Sequence, residues 1–166
     1  MTFKQRCMLI GTTVAMCVAV DQLTKYFAKA HLTLTDMHSM LGDTVRLQLA
    51  HNTGAFLSLG ASLPPDVRQW VFSFGVAILL IAVIVYALRS QGLSRLSIVS
   101  LALIFAGGAS NLGDRLVYGG YVVDYMQVGI GWLRTGVFNV ADMAIMAGTF
   151  MLLFDAFRHG KSEANA

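Results

Sequence analysis

From Trp70 to Leu88 the chain runs without one charged residue, about as far as the 20 residues an α-helix needs to cross the hydrocarbon core of a bilayer. Three further apolar stretches accompany it. Of 166 residues only 13% are charged, against about a quarter in ordinary soluble proteins, and the mean hydropathy is +0.65. The expected fold is therefore an all-α integral membrane protein forming a single domain. Four transmembrane helices are expected over roughly 7–28, 68–88, 96–113 and 137–156, with a small extracytoplasmic β-containing segment.

The ends of these spans carry their own signals. Lys4 and Arg6 before an apolar run look like the start of a signal peptide, but no small-x-small pattern precedes Asp21, and three more spans follow. The segment reads as a retained first helix. Pro64 and Pro65 close the loop before the second span, and Trp70 suits an interfacial ring. The second half of the third span, Ala106-Gly107-Gly108-Ala109-Ser110-Asn111, is small and polar, which predicts burial against other helices. The fourth span is expected to carry Asn139 and Asp142 in its first two turns. A carboxylate is costly in lipid and predicts a packed or water-accessible site there. Cys7 and Cys17 read as small packing residues.

Orientation follows from Lys4 and Arg6 before span one, Arg89 and Arg95 between spans two and three, and Arg158 and Lys161 after span four. The positive-inside rule puts these on the cytoplasmic side, together with both termini. The outer segments are then roughly 29–67 and 114–136. In the first, Thr44-Val45-Arg46-Leu47-Gln48-Leu49 alternates like a short strand. The net charge of +3 comes from 12 Lys plus Arg against 9 Asp plus Glu, without the clustered basic face a nucleic-acid partner requires.

Asp124 and Asp142 are the central candidates, one in the second outer segment and one at the outer end of span four. Two carboxylates sharing a site do not both ionise easily, so one keeps a proton while the other activates water. The glycines of Tyr118-Gly119-Gly120-Tyr121 and Gly129-Ile130-Gly131 permit a path that brings them together; independent structural or conduction roles are the alternative. Asn111, Asp114 and Arg115 share a helix face at the outer end of span three, as an ion pair or as a cation held ready for a carbonyl or headgroup. Asn139, three residues before Asp142, either bonds that carboxylate or satisfies a neighbouring helix. Asp21 and Lys25 form an i, i+4 pair read as structural support. Asn52 and Gly54 sit in a turn signal followed by Phe56; the turn either serves itself or presents an amide to an extended peptide. His31, His38 and His51 lack metal-ligand spacing, and no cofactor or metal is expected.

Taken in order, these residues resemble the lipoprotein signal peptidases, or signal peptidase II. The matching pieces are Asp21-Gln22-x-x-Lys25, Asn52-x-Gly54-Ala55-Phe56, Asn111-x-x-Asp114-Arg115, Gly120-x-Val122-x-Asp124 and Phe138-Asn139-x-Ala141-Asp142. The resemblance implies a membrane-embedded aspartic endopeptidase that cuts a prolipoprotein on the amino side of its diacylglyceryl-modified cysteine. It makes Asp124 and Asp142 the catalytic dyad and sets Asn111, Arg115 and Asn139 around active site and substrate. It gives Asn52 a substrate-facing role, with Gly54 and Asp114 as supporting residues, and leaves Asp21 and Lys25 to the outer architecture. It further implies diacylglyceryl-modified prolipoprotein signal peptides and membrane lipids as partners, no nucleic acid, a monomer, and a bacterial cytoplasmic (inner) membrane location with the active site near the outer face.

The chain departs from the family pattern at Ser110, where glycine is usual, at Gly113, where a hydrophobic residue is usual, at Tyr125 in place of phenylalanine, and at Thr135-Gly136-Val137 in place of Phe-Pro. None removes a functional group. A non-catalytic or narrowly specialised paralogue and a small proton-coupled transporter are the competing readings. The transporter needs a polar path through the inner halves of the spans, where the sequence reading finds little beyond Thr12, Thr13 and Ser97.

Overall fold

The computed structural model describes residues 1–53 and 64–163, with 65, 66, 68, 69, 71, 72 and 159–163 by their backbone alone. Four helices, α1 (Phe3–His31), α2 (Pro65–Arg89), α3 (Arg95–Val117) and α4 (Val140–Glu163), are joined by four strands, β1 (His38–Met40), β2 (Val45–Asn52), β3 (Val122–Ile130) and β4 (Leu133–Arg134). Gly54 and Phe56 lie outside the described residues.

Local chemistry sets the helix starts. Thr2 caps α1 in a reciprocal box with Gln5, at 3.3 Å and 3.0 Å, satisfying two N–H groups that the first turn leaves open. Ser94 caps α3 by accepting from the Ser97 N–H at 2.9 Å. Pro65 opens α2 as its first residue instead of ending the loop, because a first-turn residue has no need of its N–H.

The helices overrun the expected spans. Helix α1 begins four residues before Cys7 and α3 continues one turn past Gly113, to Val117. Three helices, α1, α3 and the Val140–Arg158 part of α4, are long and apolar enough to cross a membrane; in α2 the apolar stretch among the described residues is Ser73–Arg89.

Helix α3 packs against the other three, and its small residues set the distances. A Cβ on Gly107 would come within 2.3 Å of the Ala141 carbonyl oxygen, and one on Gly148 within 2.6 Å of the Ser100 carbonyl oxygen. Backbones of α3 and α4 therefore touch where only glycine fits. Ala102, Ala106, Gly107, Gly108, Ser110 and Asn111 are all buried. At one end of the bundle the apolar core is Ile10, Ala87, Ile98, Leu101 and Ala102. At that end Arg6 Nη1 donates to the carbonyls of Leu88 and Ser90, at 3.2 and 2.6 Å, so the start of α1 stands beside the end of α2.

The opposite end carries the sheet, ordered β1-β2-β3-β4 and antiparallel throughout. The alternating segment seen in the sequence is real but longer: β2 runs on through His51 to Asn52. The stretch expected as the second outer segment, 114–136, holds the end of α3 and the strands β3 and β4. Gly119 and Gly120, at φ 69° and 107°, adopt the left-handed backbone that glycine permits and turn the chain from α3 directly into β3. The register pairs Asn52 with Val122 and Ala50 with Asp124, with an irregularity between Leu47 and Ala50.

Candidate active site

Helix α4 starts at Val140, three residues later than the sequence spacing suggests, because Phe138 is still paired with the sheet. Its N–H donates to the Met126 carbonyl at 2.8 Å, and its carbonyl accepts from the N–H groups of Tyr125 and Met126. Asn139 is consequently the residue that caps α4, not a member of its first turn. Asn139 Oδ1 accepts from the Asp142 N–H at 2.9 Å, and Asp142 Oδ2 accepts from the Asn139 N–H at 3.1 Å. This reciprocal arrangement is a capping box made from an amide and a carboxylate, and it fixes the backbone and side chain of Asp142 together.

The same asparagine reaches the strand. Asn139 Nδ2 donates to Asp124 Oδ1 at 2.7 Å, and lies 3.1 Å from Asn111 Oδ1 and 3.3 Å from the Val123 carbonyl. One side chain, itself fully buried, thus holds the carboxyl of Asp124 and the backbone of Asp142, which are 18 positions apart in sequence. Asn52 Nδ2 donates to the second oxygen of Asp124 at 2.9 Å, from the end of β2. Asn111 Nδ2 donates to Asp142 Oδ1 at 2.8 Å, from α3.

Asp124 is 1% exposed. Burial pushes its carboxyl up from the usual carboxylate range to about 7; the hydrogen bond from Asn52 opposes the rise and the charge of Asp142 adds to it. A carboxyl so placed holds its proton to a far higher pH than an exposed one does. The guanidinium of Arg115 donates to the Asn111 carbonyl at 3.4 Å, and its positive charge acts on Asp142, Asp124 and Asp114.

Beneath the two carboxyls lies a buried ionic cluster. Lys25 Nζ is 2.8 Å from Asp21 Oδ2 and 2.8 Å from Asp114 Oδ2, and donates to Asn111 Oδ1 at 3.0 Å. Asp21 Oδ1 accepts from the Ala141 N–H at 2.8 Å, capping the next open position of α4, and Asp114 Oδ2 accepts from the Val123 N–H at 3.1 Å. The Asp21–Lys25 pair is thus not at a wet interface but in the interior, tying α1 to α3, α4 and β3. Asp114 belongs to this cluster, on the far side of Asn111 from Asp142.

Two further members, Gln22 and Ser110, stand in the sequence patterns above without an assigned role. Ser110 donates to Asp21 Oδ2 at 2.7 Å, and Gln22 Nε2 donates to Ser110 Oγ at 3.0 Å and to Asp114 Oδ1 at 2.9 Å. The hydroxyl at the usual glycine position therefore adds a link between α1 and α3. Their signal was present only as a glutamine adjoining Asp21 and an odd serine. At the other end of the bundle Asp155, 5% exposed, accepts from Ser97 at 2.5 Å and from Ser94. The end of the bundle remote from the sheet therefore holds a buried carboxylate that is not among the residues singled out in the sequence.

The family model for signal peptidase (SPase) II matches residues 13–158. The chain belongs to the signal peptidase II family. It is 35% identical over 152 residues to the lipoprotein signal peptidase of Actinobacillus succinogenes, covering 91% of each chain. It is 36% identical over 155 residues to the lipoprotein signal peptidase of Pseudomonas putida, covering 89% of this chain and 86% of that one. Its fold superposes on a bacterial membrane enzyme solved at 2.3 Å by the in meso method with a TM-score of 0.80 at 23% identity, over 92% of this chain and 90% of the other.

Proposed function

We propose that the protein is a signal peptidase II that removes signal peptides from prolipoproteins by aspartic endopeptidase chemistry, with Asp124 and Asp142 as the dyad. Family membership carries the reaction; the observation that carries the dyad is the pair of contacts Asn139 makes, to the Asp124 carboxyl and to the Asp142 backbone and carboxyl. One carboxyl takes a proton from water as its oxygen attacks the scissile carbonyl carbon. The partner gives its own proton to the carbonyl oxygen, and a neutral diol forms. The first then protonates the leaving nitrogen while the second recovers a proton from the diol, and the C–N bond breaks.

In this reading all four helices span the cytoplasmic membrane of a bacterium, with 1–166 as one domain, both termini cytoplasmic and the dyad near the outer face. Supporting it, Lys4, Arg6, Arg89, Arg95 and Arg158 sit at the end of the bundle remote from the sheet, as the positive-inside rule requires of a cytoplasmic end. The substrate is a signal peptide whose diacylglyceryl cysteine stays in the outer leaflet while its scissile bond enters between β2, β3 and the start of α4. Asn52 and Arg115 face that peptide, Gly54 is a supporting residue, and the enzyme works as a monomer in contact with membrane lipids.

The test is a gel-shift cleavage assay in detergent with a diacylglyceryl-modified prolipoprotein. Wild type is expected to cut it and to leave the unlipidated form intact, while folded Asp124→Asn and Asp142→Asn variants cut neither. Cleavage persisting in either variant removes that aspartate from the dyad.

A further inference from the structure

The chemistry above leaves unused the one buried ammonium of the described outer cluster, although its contacts lead to the dyad. An ammonium only donates hydrogen bonds. Lys25, at 3.0 Å from Asn111 Oδ1, therefore fixes that amide with its oxygen toward α1 and its NH2 toward Asp142 Oδ1, 2.8 Å away. The other oxygen of Asp142 accepts the backbone N–H of Asn139, the residue that caps α4, at the end where the helix presents its positive pole. Both oxygens of Asp142 are thus met by N–H groups backed by a cation or by a helix terminus. Asp124 sits in a strand, where the backbone supplies no such field, and its donors are the side-chain amides of Asn52 and Asn139. The remaining charges facing the pair are Asp21 on α1, and Asp114 and Arg115 on α3; the charges of Lys25 and Arg115 each act on both carboxyls, so what divides the two is the hydrogen-bonded path from Lys25 through Asn111, which ends on Asp142.

We propose that Lys25, acting through Asn111, is a positioning residue that makes Asp142 the carboxylate that activates water and leaves the proton on Asp124. The inference rests on the peptidase reading. Asp142 takes the first proton from water and Asp124 gives its proton to the carbonyl oxygen. In the second half Asp142 delivers its proton to the leaving nitrogen and Asp124 regains one from the diol, so the enzyme returns to its starting state.

The experiment is the pH profile of kcat/KM for wild type and for Lys25→Met/Asp114→Asn, which removes one charge of each sign. Without the cation Asp142 holds its proton to higher pH, and the acidic limb is expected to move up by about one unit, the lower end of the effect of a close opposite charge. A folded double variant with reduced kcat and an unmoved acidic limb overturns the proposal in favour of a structural role. Infrared spectra give a readout that does not depend on turnover or on that variant folding. At mildly acidic pH, wild type is expected to show a protonated-carboxyl C=O band that Asp124→Asn abolishes and Asp142→Asn keeps. A band abolished by Asp142→Asn alone reverses the assignment. Failure of wild type to cleave lipidated prolipoprotein, with the infrared assignment as expected, strikes the peptidase reading and not the proton placement.

Discussion

Asn139 is asked to do two separable things, and replacing it with serine or alanine separates them. Its Oδ1 caps α4 through the Asp142 N–H, while its Nδ2 donates to Asp124. Serine retains a capping oxygen but has no NH2 to offer the strand. Loss of a side-chain N-cap costs about 0.5–2 kcal/mol, whereas loss of a hydrogen bond to a charged or reacting carboxyl is worth about 1.5–3 kcal/mol. Asn139→Ser should therefore unfold within a few degrees of wild type in detergent, yet lose roughly 10- to 150-fold in kcat, at about 1.4 kcal/mol per factor of ten. Asn139→Ala should lose the same activity and also the cap, unfolding at a visibly lower temperature. Thermal unfolding paired with the cleavage assay reads both effects. Serine and alanine variants of equal stability would refute the capping assignment, and a serine variant with wild-type kcat would refute the contact to Asp124 as a catalytic one.

Three other outcomes follow from the geometry. Asp124, raised from 3.8 to about 7 by burial, binds its proton more tightly in the folded state than in the unfolded one; its contribution to stability is complete below about pH 4 and is lost as pH rises through about 7. Chemical denaturation across that window should show stability falling, with a shallower fall in Asp124→Asn, and the alkaline limb of activity should lie in the same region. Gly107→Ala places a methyl 2.3 Å from the Ala141 carbonyl oxygen; pushing α4 off α3 should cost about 1–3 kcal/mol of stability and lower kcat, because Ala141 adjoins Asp142. Asp155→Asn weakens the bonds from Ser94 and Ser97 at the far end of the bundle, and should cost about 1–3 kcal/mol in thermal unfolding while leaving kcat of the folded enzyme unchanged.

What the sequence made legible is what apolar surroundings throw into relief. Asp142, Asn111 and Asn139 stand out because a polar group within or beside a long apolar stretch has to be met by a partner, Asp124 stands out as the carboxylate of the segment that returns to them, and the helical spacing of Asn111 and Asp114 puts them on neighbouring turns. Long-range pairing was not legible: nothing local connects Asp21 to the Ala141 N–H or Asp114 to the Val123 N–H. The first exists because α1 packs beside the start of α4 and the second because β3 folds back against α3, and β3 itself was obscured by the glycines around it, which signal turns more strongly than the intervening residues signal a strand. Asn139 was read inside α4 because an asparagine in a first turn and an asparagine at a cap look alike in sequence; the deciding factor is the pairing of Phe138 with Met126. The interior position of Lys25 was not legible for a related reason, since an i, i+4 ion pair read as structural support does not reveal its third partner, Asp114.

The doubling of roles at Asp142 has a mechanistic consequence. Its Oδ2 belongs to the capping box and its Oδ1 to Asn111, so a proton taken from water must be held on an oxygen that already accepts an N–H. The second lone pair of each carboxylate oxygen makes this possible without breaking either contact. The carboxyl can therefore load and unload a proton while its position stays fixed by the backbone of α4 and the amide of Asn111. Asp124 is held in the same manner by Asn52 and Asn139. In the proposed mechanism the asparagine amides orient both carboxyls without titrating, the proton shared between Asp124 and Asp142 is the mobile charge of the reaction, and the ammonium of Lys25 sets where it rests.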